Sequence, residues 1–419
     1  MRFWILLCFV INAISASKIA IFTFEHSNSQ AIFNNKLAIA LADGGHEVLL
    51  VRPVVNSKLT VESLIHAQIK TFTPNNGYDY EIYRPFEDVK IKHMFRNSSI
   101  FEGFEMSSTF FDLSMHICNN TLSDQALIKH LKEEKIDLAF HHHMDFCQMA
   151  LIQHLNISDL PPYPALLNSA GQFVPTSVLP SYVLQTGNEM SFLQRSLNHF
   201  VEFLNGHLRL SKQADGQTEL ARRLLGNHIT NLIDFPKTAN LVMLSGDPII
   251  EFPIPTTRKV VYIGGLGTRK ETKELPKEFE NFITDAEKVV VISFGSWTVA
   301  KHMPKFWKDA LIQLFKNHPK IRFVWSCEEN LVLPPNAFRA SWIPQDSLLA
   351  NNKSILLITH AGYNSLMEAV QHGIPTIAIP LFSFGDQARN AHLFKKHGTT
   401  RSPQKRVSKN EHLASNTLF

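Results

Sequence analysis

The chain has 419 residues, 44% of them apolar and 19% charged, with a formal net charge of +4. That is enough for two domains with a core each, and too apolar for a disordered polymer. The small charge, with no Lys/Arg block interleaved with aromatics, argues against nucleic acid as a partner.

Arg2, the mostly apolar stretch 3–14 and the small residues Ala13, Ser15, Ala16 and Ser17 read as a secretory leader over residues 1–16. Entry into that pathway makes the Asn-x-Ser/Thr triplets at Asn97, Asn119, Asn156 and Asn352 candidate glycan sites. After cleavage Cys118, Cys147 and Cys327 remain, which permits at most one internal disulfide. No later run reaches the roughly 18 apolar residues of a membrane span, so no anchor is expected in the mature chain.

The strand KIAIFTF from Lys18, a helix over 34–43, the stop at Gly44 and Gly45 and the strand HEVLLV predict a βαβ start and hence a parallel sheet. A helix-forming stretch over 125–135 precedes a strand at 136–140. The segment 161–195, rich in Pro, Ser and Gly, reads as irregular chain covering a cleft. From Leu241 a second series of apolar runs follows: LVMLS, VVYIGG, VVVISFGS, IRFVWS, ILLITHAG and TIAIPLF. The pattern is α/β, with two Rossmann-like halves, 17–252 and 253–419, joined near Pro253 and Pro255.

In such sheets ligands sit at the carboxyl ends of strands. One run ends in Gly295 and Ser296, where backbone can approach a ligand and a hydroxyl can meet a phosphate. Another ends in His360, Ala361, Gly362, Tyr363, Asn364 and Ser365 before a helical stretch. There Gly362 permits the turn, Asn364 or Ser365 can cap the helix, and the helix start favours an anion such as a diphosphate. Glu368, four residues after Asn364, shares its face one turn further in and can accept hydrogen bonds from a sugar diol. The absence of a GK[ST] triplet argues against a P-loop, and GGLG at 264–267 lacks the third glycine of a dinucleotide fingerprint.

From Trp342 to Asn390 the stretches WIPQDSLL, THAGYNSLMEAVQHGIP and DQARN resemble the signature box of UDP-glycosyltransferases. The resemblance extends over nearly the whole mature chain and is greatest to the UDP-glucuronosyltransferase branch. It implies a GT-B-like fold, two Rossmann-like domains facing each other across a cleft. It also implies inverting transfer of a sugar, with glucuronate favoured, from a UDP-sugar to a small lipophilic acceptor, without a metal or other cofactor. By position, Trp342 would stack on uracil and Gln345 bind the nucleoside. Ser296, His360, Asn364 and Ser365 would hold the diphosphate, Glu368 the ribose, and Asp386 and Gln387 the donor sugar. Two residues more than usual, around Ser383 and Phe384, separate that last pair from Pro380.

Family members take the acceptor proton with a His oriented by an acidic residue. Counting along this chain, those positions fall on Gln30, an amide that cannot act as a base, and on His142. His26 and Asp145 are the candidate replacements. The alternative is a catalytically inactive UDP-sugar-binding relative that acts by pairing with active paralogues, as a homo- or hetero-oligomer. In the run His141 to His143 only alternate residues share a face and no third ligand is evident, so no metal is expected. The acceptor pocket is expected in apolar loops over 78–111, the location in the endoplasmic reticulum lumen or outside the cell. The chain turns polar after Lys395 and looks truncated beside family members, which carry a C-terminal span.

Overall fold

The computed structural model describes residues 16–56, 66–75, 79–95, 100–142, 145–160, 174–181, 184, 186–204, 209–238, 241–266, 274–295, 300–381 and 385–402. The leader, Asn97, His143, Ser296, Ser383 and Phe384 lie outside these residues.

The first half runs β1 (Lys18–Phe22), α1 (Asn28–Asp43), β2 (Glu47–Val51), β3 (Ile69–Phe72), α2 (Tyr80–His93), α3 (Ile100–Ser123), α4 (Gln125–Glu134), β4 (Leu138–Phe140), α5 (Phe146–His154) and β5 (Ser158–Leu160). Its strands form one parallel sheet in the order β3-β2-β1-β4-β5. After α6 (Phe192–Leu204), α7 (Ser211–Leu225), β6 (Val242–Leu244) and β7 (Val260–Tyr262) come α8 (Lys277–Ile283), β8 (Lys288–Ser293), α9 (Lys305–Asn317), β9 (Ile321–Ser326), β10 (Ala337–Ala340), α10 (Gln345–Leu349), β11 (Ser354–Thr359), α11 (Tyr363–Gln371), β12 (Thr376–Ala378), α12 (Asp386–Lys396) and β13 (Thr400–Arg401). The second parallel sheet has the order β10-β9-β8-β11-β12-β13. Both sheets are doubly wound, as the continuous β-branched runs require when both faces are covered.

The order reverses between β1 and β4 in the first sheet and between β8 and β11 in the second. These switch points open a crevice where a ligand can enter. β8 and β11 pair through Ile292 with Ile358 and Ser293 with Thr359, so the two motif-bearing strand ends are neighbours.

Helix α1 starts at Asn28, earlier than the apolar spacing indicates, because Asn34 is buried by donating to the Glu25 carboxylate at 3.0 Å. Gly45, at φ 89°, ends it. Segment 78–111, expected as loops, is largely helical, with Pro85 inside α2. Tyr83, Phe86 and Val89 of α2 pack on Met106, Phe110, Leu113 and Ile117 of α3, and that shared apolar face overrides the proline. Cys118 of α3 and Cys147 of α5 form a disulfide with Cα atoms 5.5 Å apart, inside the core of the first half.

β6 and β7 belong to neither large sheet; they pair with each other across the prolines of the expected linker. Leu241, Met243 and Leu266 pack against the first sheet's core, whereas Ile250 and Phe252 pack with Leu366, Leu393 and Phe394 of the second half. Residues 241–266 are therefore shared between the halves.

Helix α6 is turned unusually. Its Asn198 is fully buried, accepting from Ser181 N–H at 2.7 Å and donating to Thr176 and Leu179 carbonyls, while Phe192 and Leu193 are 72% and 77% exposed. Among the described residues no helix is long and apolar enough to cross a membrane.

Candidate functional site

At the end of β11 the chain turns sharply through Ala361, which holds φ 70°. That conformation costs a non-glycine residue about 1–2 kcal/mol, so something must hold it. Asn390 of α12 does so: its amide donates to the Ala361 carbonyl at 3.1 Å and to Asp386 Oδ2 at 2.9 Å. The His360 ring is wedged between two glycines. A Cβ on Gly295 would lie 2.5 Å from its Cε1, and one on Gly362 2.7 Å from its Nε2.

Gly362 is the N-cap of α11, and no side chain caps the helix. Asn364 and Ser365 are therefore not caps, contrary to expectation, but stand in the first turn. The free N–H groups and the positive helix end remain available to an anion. Glu368 lies one turn further in, with Oε2 accepting from Gln345 Nε2 at 2.7 Å. Burial pushes the Glu368 carboxyl up, and the Gln345 hydrogen bond and the Lys36 ammonium of α1 counter it. Lys36, unmarked by any sequence motif, thus shows the first half reaching the second across the cleft. Trp342 is 57% exposed, its ring open to a stacking partner.

Asp386 and Gln387 begin α12. Burial raises the Asp386 carboxyl, opposed chiefly by the Asn390 hydrogen bond. Gln387 is 6% exposed, and its Oε1 accepts from Leu381 N–H at 2.8 Å.

Across the cleft the β1 and β4 ends meet. Gln148 joins them, accepting from His142 N–H at 2.8 Å and donating to the Thr23 carbonyl at 2.9 Å. Gln30 stands in the first turn of α1, where its Oε1 accepts from His26 N–H at 3.0 Å. The His26 ring lies among Phe24, Phe86 and Phe110, with centroids 6.0, 6.2 and 6.2 Å away. Burial, and secondarily the Lys90 charge, lowers His26 to about 4. Burial, with the His26 and His141 charges, lowers His142 to about 3.

The structure does not bring His26 and Asp145 together. Asp145 is the N-cap of α5; its Oδ1 accepts from Cys147 N–H at 3.0 Å and lies 3.4 Å from the Gln217 amide. Burial raises it to about 6, and the neighbour whose charge lowers it is His141. Asp145 followed three residues later by Gln148 is a capping-box spacing, the signal in the sequence for this role. Among the described residues no three His, Cys, Asp or Glu side chains are grouped to hold a metal.

A family model described as UDP-glucoronosyl and UDP-glucosyl transferase matches residues 18–416. The chain belongs to this family. Among curated UDP-glucuronosyltransferases, the putative ugt-48 of Caenorhabditis elegans is 26% identical over 408 residues, 93% of this chain and 76% of the relative. Human UDP-glucuronosyltransferase 1A8 is 26% identical over 366 residues, covering 84% and 67% of the two chains. Among solved structures, Os79 from O. sativa in complex with U2F and trichothecene superposes with a TM-score of 0.61 at 13% identity, covering 95% of this chain and 89% of that one. The fold is accordingly GT-B, and the glycosyltransferase family places a UDP-sugar donor among its ligands.

Three half-buried imidazoles make the stability depend on pH. His26, His142 and His360 are held at about 4, 3 and 4 against an ordinary 6.5. Between those values the unfolded chain binds more protons than the folded one. The stabilisation is therefore complete above pH 6.5 and lost as pH falls through 4. Asp145, raised to about 6 from 3.8, acts in the opposite sense, favouring the fold below its ordinary value. Glu368 and Asp386, raised by burial, act in the same sense as Asp145, so the loss on acidification is the contribution of the imidazoles alone. The urea midpoint is expected to fall less between pH 7 and 4 in His142→Gln than in the native chain; an equal fall would contradict the burial of this ring.

Proposed function

We propose that this protein binds a UDP-sugar at the β8/β11 switch point and transfers the sugar, glucuronate by the names of its relatives, with inversion to a small lipophilic acceptor. The observation carrying this reading is the uncapped N-terminus of α11 with Glu368 one turn inside it. The diphosphate meets the α11 N–H groups with His360, Asn364 and Ser365 around it, together with Ser296. Glu368 receives the ribose hydroxyls, exchanging its bond from Gln345 for theirs. Trp342 stacks on the uracil and Gln345 binds the nucleoside. Asp386 and Gln387 meet the sugar.

The acceptor enters beside the β1 end, next to the apolar core in which Phe24, Phe86 and Phe110 pack around His26. Its oxygen attacks the anomeric carbon as the bond to UDP breaks, and His26 takes the proton in this reading. Above pH 5 His26 is neutral and able to accept one, but its low pKa makes it a weak base. No metal or cofactor is required in this scheme.

A second reading, an inactive UDP-sugar-binding relative that pairs with active paralogues, is favoured by one observation: Asp145 is committed to capping α5 and does not raise the basicity of His26. The Cys118–Cys147 disulfide supports a secretory location, as do the exposed triplet residues Asn119, Asn156 and Asn352.

Replacing Glu368 with Ala tests the donor site. Calorimetry should show UDP binding weakened by about 1–3 kcal/mol, the cost of a lost hydrogen bond to a charged group. Unchanged affinity would remove the ribose from this position.

A further inference from the structure

Helix α2 touches the acceptor side through Phe86, whose ring centroid is 6.2 Å from that of His26. One residue beyond its last turn, the chain leaves the first half. Met94 and Phe95, each 3% exposed, pack in the core of the second half with Ile292, Phe294, Trp307 and Leu381. The Phe95 ring meets Trp307 edge-on at 5.5 Å.

Phe95 also holds φ 66°, which bulky residues avoid. Filling a core needs no such backbone; the conformation persists where surrounding contacts fix it. One such contact is its N–H, which donates to the Leu381 carbonyl at 3.3 Å. The N–H of the same Leu381 donates to Gln387 Oε1 at 2.8 Å. Leu381 is thus gripped by the acceptor-bearing half on its carbonyl and by α12 on its amide. With Oε1 engaged there, the Gln387 side chain has its aim set by where Leu381 stands.

We propose that Phe95 is a positioning residue for the donor sugar: by seating Leu381 it fixes the aim of Gln387, so that sugar recognition in the second half depends on a side chain of the first. This rests on the reading above that Gln387 meets the sugar. It separates two parts of one ligand, because the proposed UDP contacts, from α10, α11 and His360, do not run through Leu381.

The test is calorimetry of the full chain with UDP and, separately, with UDP-glucuronate and UDP-glucose, for wild type, Phe95→Ala, Gln387→Ala and the double variant. Phe95→Ala should leave the UDP Kd within about twofold. It should weaken binding of the preferred UDP-sugar about fivefold to tenfold, the loss of one well-placed hydrogen bond. The double variant should be no worse than Gln387→Ala alone, since both act through one contact. A purely structural role for Phe95 would weaken UDP and UDP-sugar in parallel, and that result overturns the proposal. So does an unchanged UDP-sugar Kd or an additive double variant. Should Phe95→Ala fail to fold, Trp307→Leu loosens the same seat from the other side and carries the same expectation. A wild type that binds no UDP overturns the donor-site reading itself, and this proposal with it. UDP binding with a Gln387→Ala variant that loses sugar affinity, but a Phe95→Ala variant that does not, overturns the proposal alone.

Discussion

Gly295→Ala is expected to cost about 2–5 kcal/mol of stability and to reduce UDP affinity at least tenfold. Two effects combine. Gly295 holds φ 79°, where an alanine is strained by about 1–2 kcal/mol. The new Cβ would also stand 2.5 Å from His360 Cε1 and 2.7 Å from Nε2. The ring's retreat is limited on the side of Gly362, already in close contact with it, so the overlap must be relieved by moving the loop, at about 1–3 kcal/mol. That movement displaces the β8 and β11 ends together, which are the walls of the proposed diphosphate site. Gly45→Ala is the matching control, because Gly45 holds φ 89° with nothing within 4 Å of its added Cβ. It should show the backbone penalty of about 1 kcal/mol and normal UDP binding. Urea unfolding and calorimetry measure both quantities. If Gly295→Ala behaves like the control, His360 is not fixed by its glycine neighbours and the described donor loop is wrong.

Gln30→His is expected to raise UDP release with phenolic acceptors by about two orders of magnitude or more, the usual contribution of a placed general base. Position 30 lies in the first turn of α1, and it already receives a hydrogen bond from His26 N–H at 3.0 Å. An imidazole there can act as a base only in the tautomer whose unprotonated nitrogen faces the acceptor, so the bond from His26 N–H would be given up. It would still lack an acidic partner, since His142 stands at that position and Asp145 caps α5. The double variant Gln30→His, His142→Asp should therefore exceed the single one. Turnover by the native chain that disappears in His26→Ala would instead identify His26 as the working base. In that case kcat/KM would bend near pH 4, not near 6.5. Equal rates from native chain and Gln30→His, both indifferent to His26→Ala, would sink the assignment of this face as the acceptor site.

Much of the second half was legible in the sequence because its information is local. The run SILLIT and the polar start of α11 specify strand and helix within 18 residues, Ser354–Gln371, although the left-handed turn residue is Ala361 and not the expected Gly362, which is extended at φ −61°. The βαβ opening was legible for the same reason. What could not be read was set by contacts between distant segments. Helices α2 and α3 form against each other despite Pro85, and no apolar period announces the start of α1 at Asn28, where burial of Asn34 depends on Glu25. β6 and β7 resemble members of the second sheet, yet pair apart from it and share their packing with both halves.

At the candidate site the same division holds. The order Trp342, Gln345, His360, Glu368 and Asp386 follows from the motif, whereas Asn390 supporting Ala361, Lys36 acting on Glu368 and Phe95 reaching Leu381 are matters of tertiary approach. For Asp145, a carboxylate near a strand end fits two roles, and the structure shows the capping one, with Cys147 N–H 3.0 Å away.

The His360 ring between two glycines has one more consequence. A loop so confined has little conformational freedom left to surrender when a nucleotide arrives, so association need not be slowed by an ordering step. The shape of the diphosphate cradle is settled when the second half folds. Changes that shift either glycine against the ring will therefore appear first as weaker nucleotide capture.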